Sequence, residues 1–545
     1  MSNLLQKASI ITTPTAYDTG KILSVKPVET YGPELVTNGD FSTDSDWTKE
    51  AGWTISGGTA NGAATTVPIY QSISGFIPGN VYKVKFEVTS VTSGYVRVYA
   101  YVGASGTFTN IFNSTSLTTG VYESTFVFGG TNKILRFYGS IASTGRFTGS
   151  IDNVSVKEVI NADFDFQRNS SATRVGSNGL IQDVASNIPR IDYTGGVGSW
   201  KFEPQRTNLL TYSESFSNAY WTKTGASVVS DATTSPDGSL NADKLMEDTS
   251  TGLHKIQVFY TFTAVDYSNS IRIKPNGTTK VSLWIDGASK GTKFDLSTGT
   301  IYSETSSFGK ITALPNGWFE IATTADGTSG TSYVLYFYDD SWNVTYTGDG
   351  TSGVYIWGAQ LEAGSYPTSY IRSNTGSATT RLADVANNAG SSDLINSSEG
   401  VLYAEISALA DDSAAKVISI YQSSSNALGF YYYQSRIDAY VLVGTNQFVK
   451  THYLDTTINN KISLKYKTND FALWVNGFEV GTGTSGTTPS GLNQLSLTDT
   501  SNNNFYGNVK SVAVFKEALT DLELECLVSW MSFSDLGINF GYTVE

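Results

Sequence analysis

One sequence motif, which we call the phrase, occurs twice in this chain and limits the folds that the chain can adopt. Residues 34–41 read ELVTNGDF and residues 208–216 read NLLTYSESF, and a Trp-Thr-Lys sequence follows each phrase at nearly the same distance. Each copy continues through a long stretch rich in Tyr, Thr, Val and Gly to a strand-like segment, at residues 149–156 and 353–361. A repeat of about 175 residues is too long for a solenoid. It predicts two copies of one β-sandwich domain.

Apolar and polar residues alternate with a period of two along much of the chain, and turn clusters rich in Gly, Asn and Pro separate these segments. Period 2 places successive side chains on opposite faces of a strand, so the segments predict half-buried strands. The expected fold is all-β, with tandem β-sandwich (jelly-roll) domains, an extended N-terminal arm and a short C-terminal helix. The segments used are 81–88, 95–102, 134–138, 280–285, 318–322, 333–338, 400–406, 428–433, 461–466 and 471–480.

The 545 residues are too many for one hydrophobic core, and breaks in the pattern divide the chain. The first residues hold Pro14, Pro27 and Pro33 without a sustained period, so we interpret them as an arm and not as a domain. The predicted divisions are an N-terminal attachment arm (1–33), a first jelly roll (34–159), a connector (160–205), a second jelly roll (206–371), a second connector (372–391) and a C-terminal sandwich (392–545).

The C-terminal sandwich carries two local signals. Asn476 and Gly477 separate two apolar runs, and both suit the positive φ angles of a tight hairpin turn. Thr520 and Glu523 have the spacing of a capping box, in which each side chain satisfies a free backbone amide at a helix start. These residues predict a hairpin and a short closing helix that ends near Trp530.

The composition excludes several classes of function. Charged residues make up 15% of the chain, its formal net charge is −14, and it has no basic run, so we expect no nucleic acid partner. The single cysteine excludes an intrachain disulfide. His254 and His452 lie far apart without a cluster of acids or cysteines, so we interpret both as surface histidines and expect neither a zinc site nor a catalytic triad.

The N-terminal residues lack the basic start, apolar run and cleavage site of a secretory signal, and no apolar stretch approaches the length of a membrane span. We therefore expect a protein that is made in a cytoplasm without a signal peptide and does not insert into membranes. The low charge and the high content of Tyr, Thr, Ser and Gly are nevertheless typical of extracellular adhesins. Phage particles reconcile these two observations, because they are assembled inside bacteria and act outside them.

Residues 35–41 with Trp47, together with the closing residues 151–156, resemble the carbohydrate-binding-module type of jelly roll, the galactose-binding-like sandwich. Relatives often hold a structural calcium where the first strand meets the last. The resemblance implies that Asp40 and Asp152 are the matching acids here, and oxygen ligands suit calcium. No other cofactor is expected.

The second copy departs from this pattern. Glu214 lies near the place of Asp40, but Gln360 and Leu361 lie where the closing acid is wanted. The calcium expectation therefore does not extend to the second copy. What the repeat shares is the scaffold, so we expect binding specificity to lie where the copies differ.

Two further stretches carry resemblances. Residues 473–477, 507–515 and 518–523 resemble the terminal hairpin, strand and helix of concanavalin A-like or laminin-G-like sandwiches. The connector, at 166–174 and 202–210, resembles segments of phage structural proteins that carry lectin-like domains. This second resemblance implies a position on the virion surface, contacts with other virion proteins through the arm, and a homo-oligomer, since such appendages are often trimers.

Two polar-aromatic clusters are candidate glycan-binding sites, because flat aromatic faces stack on sugar rings while polar side chains bind the hydroxyls. The denser cluster contains Tyr431 and Tyr433 with Gln434 and Arg436, and alternation requires Tyr432 to face the opposite way. The other cluster is Asp340 and Trp342, next to Tyr338. Core packing or a subunit contact is the more ordinary explanation of the same aromatics.

The leading hypothesis is a non-enzymatic phage virion protein, a head or tail appendage or decoration that attaches to bacterial surface glycans by weak multivalent binding. A structural spacer without glycan binding is the first alternative. The second is a polysaccharide depolymerase that uses Asp163 and Asp165, which share one face of an extended segment. These two acids lie in a connector and not in a cleft, so we expect no enzyme and no catalytic residues.

Overall fold

The computed structural model describes residues 4–28, 30–101, 108–112, 118–139, 146–287, 289–327 and 330–529. These residues form antiparallel sheets and two short α-helices, which confirms the expected all-β fold. They belong to two compact units, Pro27–Asn161 and a larger unit made of Met1–Lys26 and Ala162–Glu545. No helix in the described part of the chain is long and apolar enough to cross a membrane.

The chain begins in the larger unit, leaves it at Lys26 and returns at Ala162. The two ends of this excursion meet, because the Ala162 N–H donates to the Ser24 hydroxyl (3.3 Å) and the Ser24 N–H donates to the Asp163 carboxylate (2.8 Å). The smaller unit is therefore an insertion into the larger one. The elements before the insertion are α1 (Leu4–Lys7), β1 (Ala8–Thr12), β2 (Tyr17–Asp18) and β3 (Lys21–Ile22).

The insertion contains the first sandwich. Its strands are β4 (Thr30–Tyr31), β5 (Thr48–Lys49), β6 (Trp53–Ser56), β7 (Thr59–Thr65), β8 (Pro68–Ser72), β9 (Val81–Ser93), β10 (Val96–Tyr101), β11 (Phe108–Phe112), β12 (Gly120–Val127), β13 (Ile134–Gly139) and β14 (Phe147–Ile160). One sheet has the order β11-β10-β13-β8-β5, and the other has the order β12-β9-β14-β7-β6 with β4 beside β14. Alternate residues such as Phe86 of β9 and Phe137 of β13 fill the core between the sheets.

The connector and the second sandwich follow. The connector strands are β15 (Phe164–Gln167), β16 (Ala172–Val175), β17 (Ile181–Val184), β18 (Ile191–Asp192), β19 (Ser199–Phe202) and β20 (Arg206–Asn208). The sandwich strands are β21 (Thr222–Thr224), β22 (Ala226–Thr234), β23 (Leu240–Glu247), β24 (Thr251–Leu253), β25 (Lys255–Phe259), β26 (Asp266–Asn276), β27 (Lys280–Asp286), β28 (Lys290–Asp295), β29 (Thr300–Thr305), β30 (Phe308–Leu314), β31 (Trp318–Asp326), β32 (Ser332–Phe337), β33 (Thr345–Thr347) and β34 (Gly353–Ala363), with a 3₁₀ turn at Pro315–Gly317. Its sheets have the orders β21-β25-β32-β27-β28-β29 and β22-β23-β34-β26-β31-β30.

The repeated phrase forms the same corner in both sandwiches. The Trp47 indole N–H donates to the Asn38 carbonyl (3.0 Å), and the Trp221 indole N–H donates to the Tyr212 carbonyl (2.8 Å). Each indole also packs on the phenylalanine of its own phrase, with ring centroids 5.2 Å apart in the first copy and 4.9 Å in the second. The aromatic frame read from the sequence is therefore a structural element of the duplicated fold.

The C-terminal sandwich contains two sheets and the closing helix. Its elements, after the second-connector strands β35 (Thr379–Arg381) and β36 (Val385–Asn387), are β37 (Glu399–Ala408), β38 (Lys416–Ser423), β39 (Asn426–Tyr432), β40 (Arg436–Val443), β41 (Thr445–Tyr453), β42 (Asn460–Lys467), β43 (Phe471–Val475), β44 (Phe478–Gly483), β45 (Gln494–Ser496), β46 (Gly507–Phe515) and α2 (Asp521–Ser529). One sheet has the order β18-β19-β46-β37-β42-β43-β44 with β1 beside β46, and the other has the order β41-β40-β39-β38-β45.

The segment predicted to be an attachment arm is built into this sandwich. Strand β1 pairs with β46 in antiparallel register, and Ile10 lies in the core between the two sheets. Leu4 and Ile11 pack instead against Leu524 and Leu527 of α2. The N-terminal segment and the closing helix therefore cover the outer face of the larger sheet together, and residues 27–33 belong to the insertion.

Both local signals of the C-terminal sandwich are confirmed. Asn476 and Gly477 join β43 to β44 with φ angles of 49° and 91°. The Thr520 N–H donates to the Glu523 carboxylate (3.0 Å), and the Glu523 N–H donates to the Thr520 hydroxyl (3.4 Å). Trp530, where the helix was predicted to end, lies outside the described residues, and α2 is described to Ser529.

The two connectors pack on each other around a buried ionic network. Strand β15 pairs with β36 and β20 pairs with β35, so the segments that follow the two copies meet in space. The network joins Asp384 to Arg168 (3.0 Å) and Arg190 (2.5 Å), and Glu203 to Arg190 (2.6 Å) and Arg381 (2.9 Å). None of these side chains is more than 2% exposed. Because buried charges are tolerated only when paired, these ion pairs must form when the connectors pack together.

The expectation that His254 is a surface histidine is wrong. Its side chain is fully buried, with Nδ1 2.6 Å from the Gly225 carbonyl and Nε2 3.2 Å from the Tyr346 carbonyl. Both carbonyls come from residues distant in the chain, so the local sequence does not reveal this burial, and the ring packs on Tyr346. His452 is half-buried on β41, and burial followed by the nearby Lys450 lowers its pKa.

Candidate functional site

The smaller sheet of the C-terminal sandwich carries a pocket of about 600 Å³ on its outer face. The inner face of β39 and β40 enters the core through Phe430, Tyr432 and Ile437. Because side chains alternate along a strand, Tyr431 and Tyr440 point to the outer face, where both are partly exposed. Tyr432 faces inward, as the alternation in the sequence requires.

Four tyrosines and one arginine dominate this pocket. Strands β38, β39 and β40 and the turn after β39 bring these side chains together, and a loop after β45 completes the wall. We call the site the tyrosine pocket and define it by Tyr421, Tyr431, Tyr433, Tyr440, Arg436 and Asp499. The predicted residues Tyr431, Tyr433 and Arg436 therefore lie in one site.

Gly429 lies between two residues that line the tyrosine pocket. It lies on β39 between Ser419 of β38 and Tyr440 of β40, so no side chain fills the centre of the three strands. A Cβ atom at this position would lie 2.4 Å from the Ile418 carbonyl oxygen, which is closer than packed atoms approach. The clash would be with the backbone of β38, so the missing side chain allows β38 and β39 to approach closely here, as glycine in a strand often does.

The Arg436 guanidinium is held in place at the pocket wall. Its Nε donates to the Asp438 carboxylate (2.8 Å), and its Cζ lies 5.0 Å from the centroid of the Tyr433 ring. The hydrogen bond to Asp438 raises the pKa of Arg436, so the side chain stays cationic. Thr451 donates to the same carboxylate, which fixes Asp438 in turn.

The acid of the pocket wall is already used by its own loop. Asp499 Oδ1 accepts from the Ser501 N–H (2.8 Å) and the Asn503 N–H (2.9 Å), and Oδ2 accepts from the Asn503 side-chain amide (2.8 Å). This pattern is that of an Asx turn. Asp499 therefore shapes the loop, and a ligand would meet the aromatic rings and Arg436 together with the serine, threonine and asparagine residues of the lining.

Gln434 lies beside the pocket on the turn between β39 and β40. Its backbone has a φ of 47° and its N–H donates to the Asp412 carbonyl (3.3 Å). The side chain is exposed. The turn therefore presents Gln434 to solvent next to Tyr433 and does not place it in the pocket wall.

The second predicted cluster lies on the second sandwich. Trp342 stacks on Tyr302, with centroids 4.0 Å apart and planes at 14°, and packs at 5.5 Å on Tyr338. Asp340 is fully exposed and lies 3.9 Å from the Lys280 ammonium. Since one face of the Trp342 ring is covered by Tyr302, this cluster offers less free aromatic surface than the tyrosine pocket. The two clusters belong to different sandwiches and do not form one site.

The sequence interpretation missed Tyr421, Tyr440 and the loop at Asp499. A signal for Tyr440 was present, because Arg436, Asp438 and Tyr440 alternate along one strand and must share a face. Tyr421 and Asp499 are distant in sequence, and only the pairing of β38 with β39 and β45 brings them to the pocket.

The predicted calcium residues lie together at the corner of the first sandwich. The Val154 N–H donates to the Gly39 carbonyl (2.8 Å), which docks the opening phrase on β14. Burial, and then the charges of Glu87 and Asp40, raise the pKa of Asp152. Oxygen donors of this kind suit calcium. No group of three or more acids, histidines or cysteines is placed to hold a metal within the described ranges, and the calcium site stays a prediction.

The second sandwich has the same corner with a different charge pattern. The Ala359 N–H donates to the Ser213 carbonyl (2.9 Å), which aligns Ala359 with Val154 and places Trp357 at the position of Asp152. The expectation that Gln360 or Leu361 stands there is therefore wrong, and the bulges that follow Asp152 and Trp357 in the two closing strands agree with this alignment.

A guanidinium occupies the corner of the second copy. Arg372 donates to Glu214 (2.5 Å), and its Cζ lies 5.4 Å from the Trp357 ring. It also donates to Asp237 (2.8 Å). Where the first copy presents carboxylates, the second copy supplies its own cation.

Comparison with known proteins finds similarity among solved structures. No family model and no curated protein matches the chain. Among solved structures, the chain is similar to the CBM40 module of the Ruminococcus gnavus IT-sialidase bound to α2,3-sialyllactose, at 12% identity and a TM-score of 0.23, covering 26% of this chain and 93% of that one. It is also similar to the tandem CBM22-1–CBM22-2 domains of Paenibacillus barcinonensis Xyn10C, at 13% identity and a TM-score of 0.21, covering 62% of this chain and 100% of that one.

A third similar structure is the mouse laminin α1 chain, domains LG4-5, at 10% identity and a TM-score of 0.18, covering 50% of this chain and 92% of that one. These TM-scores are too low to define the fold, which is defined by the sheet orders described above. The ligands in these names belong to those proteins.

Proposed function

We propose that this chain is a non-enzymatic glycan-binding protein and that the C-terminal sandwich binds a saccharide in the tyrosine pocket. The observation that carries the proposal is the convergence of Tyr421, Tyr431, Tyr433 and Tyr440 on one pocket of about 600 Å³. Aromatic rings in a hydrophobic core are covered on both faces, whereas these rings border open space. That combination favours a ligand over ordinary packing.

The chemistry of the pocket suits a sugar. An aromatic face stacks on the C–H side of a sugar ring, and the phenol groups supply both donors and acceptors for hydroxyls. Arg436 adds a cation that Asp438 and Tyr433 already orient, so little conformational entropy is lost on binding. One shallow pocket binds weakly, and several copies on a surface would raise the avidity.

The test is a glycan array with the full chain, followed by calorimetry on any saccharide that binds. We expect Tyr433→Ala to weaken binding about tenfold or more, since removal of a central aromatic contact commonly costs over 1 kcal/mol. Phe478→Ala is the matched control, because Phe478 is an exposed aromatic (73%) on the other sheet of the same sandwich.

The outcomes separate the alternatives. Equal binding by the Tyr433→Ala and Phe478→Ala chains would show that the saccharide binds elsewhere. An array with no binding above background would favour the structural spacer, in which the sandwiches only set distances.

Asp163 and Asp165, the two acids that a depolymerase would use, both bind residues of the N-terminal segment, which supports a function without catalysis. Asp163 accepts from the Ser24 N–H (2.8 Å) and hydroxyl (3.0 Å), while Asp165 pairs with Lys21 (2.5 Å). Both carboxylates therefore attach the N-terminal segment to the connector. Release of reducing ends from capsular polysaccharide by the native chain, lost in Asp163→Asn with Asp165→Asn, would instead support a depolymerase.

The setting that we propose is the surface of a phage particle, as a head or tail appendage or decoration. The resemblance of the connector to segments of phage structural proteins supports this setting, together with a composition typical of adhesins. Antibody labelling of purified particles in the electron microscope tests it and distinguishes head from tail. Particles that lack the chain by mass spectrometry would overturn it.

A further inference from the structure

The first sandwich carries a second polar-aromatic surface, on the outer face of its five-stranded sheet. The inner face of this sheet enters the core through residues such as Val98 and Phe137. The outer face of β8, β13 and β10 carries half-buried tyrosines and arginines in alternation. We call this surface the Tyr–Arg face and define it by Tyr70, Arg97, Tyr99, Arg136 and Tyr138.

The strand register places these side chains in two adjoining rows. Arg136 lies opposite Tyr70 on one side and opposite Tyr99 on the other, so a tyrosine flanks it on each neighbouring strand. Arg97 lies opposite Tyr138 in the next row. Neighbours across a sheet lie about 5 Å apart and interact directly. The face is therefore a compact array and not a set of separate surface residues.

The rings hold the arginines in position. The Cζ of Arg136 lies 5.0 Å from the Tyr70 centroid, and the Cζ of Arg97 lies 5.7 Å from the Tyr99 centroid. Arg136 Nη1 donates to the Tyr138 hydroxyl (3.0 Å). The Nε–H of Arg97 is buried without a hydrogen-bond partner. A guanidinium stacked on an aromatic ring keeps its outer N–H groups in a fixed fork that matches a carboxylate.

The second sandwich provides an internal comparison. In both copies the lysine of the Trp-Thr-Lys sequence pairs with a core isoleucine, Lys49 with Ile69 and Lys223 with Ile256, which fixes the alignment of the two sheets. Following the register across the strands assigns a counterpart to each residue of the face. Tyr70, Arg136, Tyr99, Arg97 and Tyr138 correspond to Gln257, Val334, Trp284, Ser282 and Tyr336.

The two copies differ in charge at this face. The aromatic character is kept at the positions of Tyr99 and Tyr138, but both arginines are replaced, by Val334 and Ser282. The strand residues on the outer face of β8, β13 and β10 in the first copy include no carboxylate, although acids outnumber bases in the chain, 49 to 35. The arginines are therefore a feature of the first copy and not of the scaffold.

We propose that the Tyr–Arg face binds an acidic saccharide, with the tyrosines stacking on sugar rings and Arg97 and Arg136 binding the carboxylates. The site is independent of the tyrosine pocket. A nucleic acid fits less well, because polyanion binding depends on many phosphate contacts and the net charge of −14 repels a long polyanion. A short uronic acid oligomer can bind two guanidiniums and, because it carries few charges, is repelled less by the net charge of the chain.

The test compares short oligogalacturonates with their methyl esters, which have the same sugar rings without the charge. Calorimetry with the full chain should show tighter binding of the acid than of the ester, and a decline in affinity with added salt. The double variant Arg97→Ser, Arg136→Val copies the second sandwich at both positions. We expect it to bind the acid roughly tenfold or more weakly, because charge-assisted hydrogen bonds are the strong ones.

Three controls make the result specific. Lys85→Ser with Lys157→Val removes the same charge from the opposite sheet of the same sandwich and should leave the affinity unchanged. Arg97→Lys with Arg136→Lys keeps the charge but not the fork, and it should retain weakened, salt-sensitive binding while folding as the native chain does. Tyr433→Ala should have no effect, since it alters the tyrosine pocket.

Several outcomes would overturn the proposal. These are equal affinity for acid and ester, unchanged affinity in the folded Arg97→Ser, Arg136→Val chain, or loss of binding with Tyr433→Ala. Tighter binding of a single-stranded oligonucleotide than of the oligogalacturonate would make the face a nucleic acid site. An absence of binding to both saccharides would also reject it, whatever the glycan array shows for the C-terminal sandwich.

Discussion

At the scale of single residues, the pairing partners of a buried charge decide whether it stabilises or destabilises the fold. Glu203, in the buried network between the connectors, is an example. Burial by itself raises the pKa of Glu203, but Arg381, Arg190 and Lys201 outweigh burial and hold the pKa well below its usual range. An acid with a lowered pKa stabilises the folded state above its unfolded-state pKa. The stabilisation is lost as the pH falls through the folded-state value.

Asp384→Asn should therefore be strongly destabilising. It leaves Arg168 and Arg190 buried with one carboxylate fewer, and breaking a buried pair in this way costs about 3–5 kcal/mol. Chemical denaturation at neutral pH measures the loss. The native chain should also lose stability below about pH 4, where unfolded glutamate becomes protonated. A change below 1 kcal/mol in Asp384→Asn would mean that water reaches the network.

Asp152→Asn is expected to act in the opposite direction. The raised pKa of Asp152 means that its charge destabilises the folded state above the folded-state pKa, and this cost disappears as the pH falls below the unfolded-state value. Removing the charge should raise the melting temperature of the insertion in the presence of a chelator. Calcium should raise the native melting temperature and not that of the variant. Equal calcium responses in both chains would exclude Asp152 as a ligand.

At the scale of elements, a strand was predictable from the sequence where its residues were numerous enough to show a period of two or a continuous apolar run. Val81–Ser93, Lys280–Asp286 and Asn460–Lys467 alternate or are continuously apolar, and their cores are local to one sandwich. Ala8–Thr12 was not predicted to be a strand, because its partner β46 is about 500 residues away in the chain. A short apolar pair has no periodicity of its own, so only tertiary pairing makes it a strand.

Ile10→Ala should consequently destabilise the C-terminal sandwich. Ile10 is fully buried between the sheets, and truncating such a side chain costs about 2–5 kcal/mol. Lys7→Ala is the control, since it removes only the partly exposed ion pairs with Glu517 and Glu523, each worth about 0–1 kcal/mol. Thermal unfolding followed by tryptophan fluorescence distinguishes the two. A similar small shift in both variants would mean that β1 frays from the sheet.

At the scale of the whole molecule, the insertion predicts which parts fold alone. The chain leaves the larger unit at Lys26 and returns at Ala162, and Ser24 bonds both Ala162 and Asp163. An insertion whose two ends lie close together leaves the core and the strand pairing of the host domain unchanged, so its removal is tolerated. A chain in which residues 27–161 are replaced by a short Gly-Ser linker should keep the melting temperature of the larger unit and the ligand of the tyrosine pocket.

The same excision should abolish the binding of oligogalacturonate, because the Tyr–Arg face lies within residues 27–161. Calorimetry of the native and excised chains should show one unfolding transition removed and the other retained. A chain that fails to fold after the excision would show that the larger unit depends on the insertion. Truncation of residues 1–26, by contrast, removes β1 from the C-terminal sandwich. Loss of attachment to a particle in that truncated chain could therefore result from misfolding.

The sequence by itself determined what depends on neighbours along the chain. Alternation specifies strands and the side on which each residue lies, the repeated phrase specifies the duplication, and the Thr520–Glu523 pair specifies the start of a helix. Only the tertiary structure decided which strands share a sheet and therefore which side chains meet. The tyrosine pocket, the Tyr–Arg face and the connector network all join residues from separate strands, and their contacts follow from strand order and register, which the local pattern does not encode.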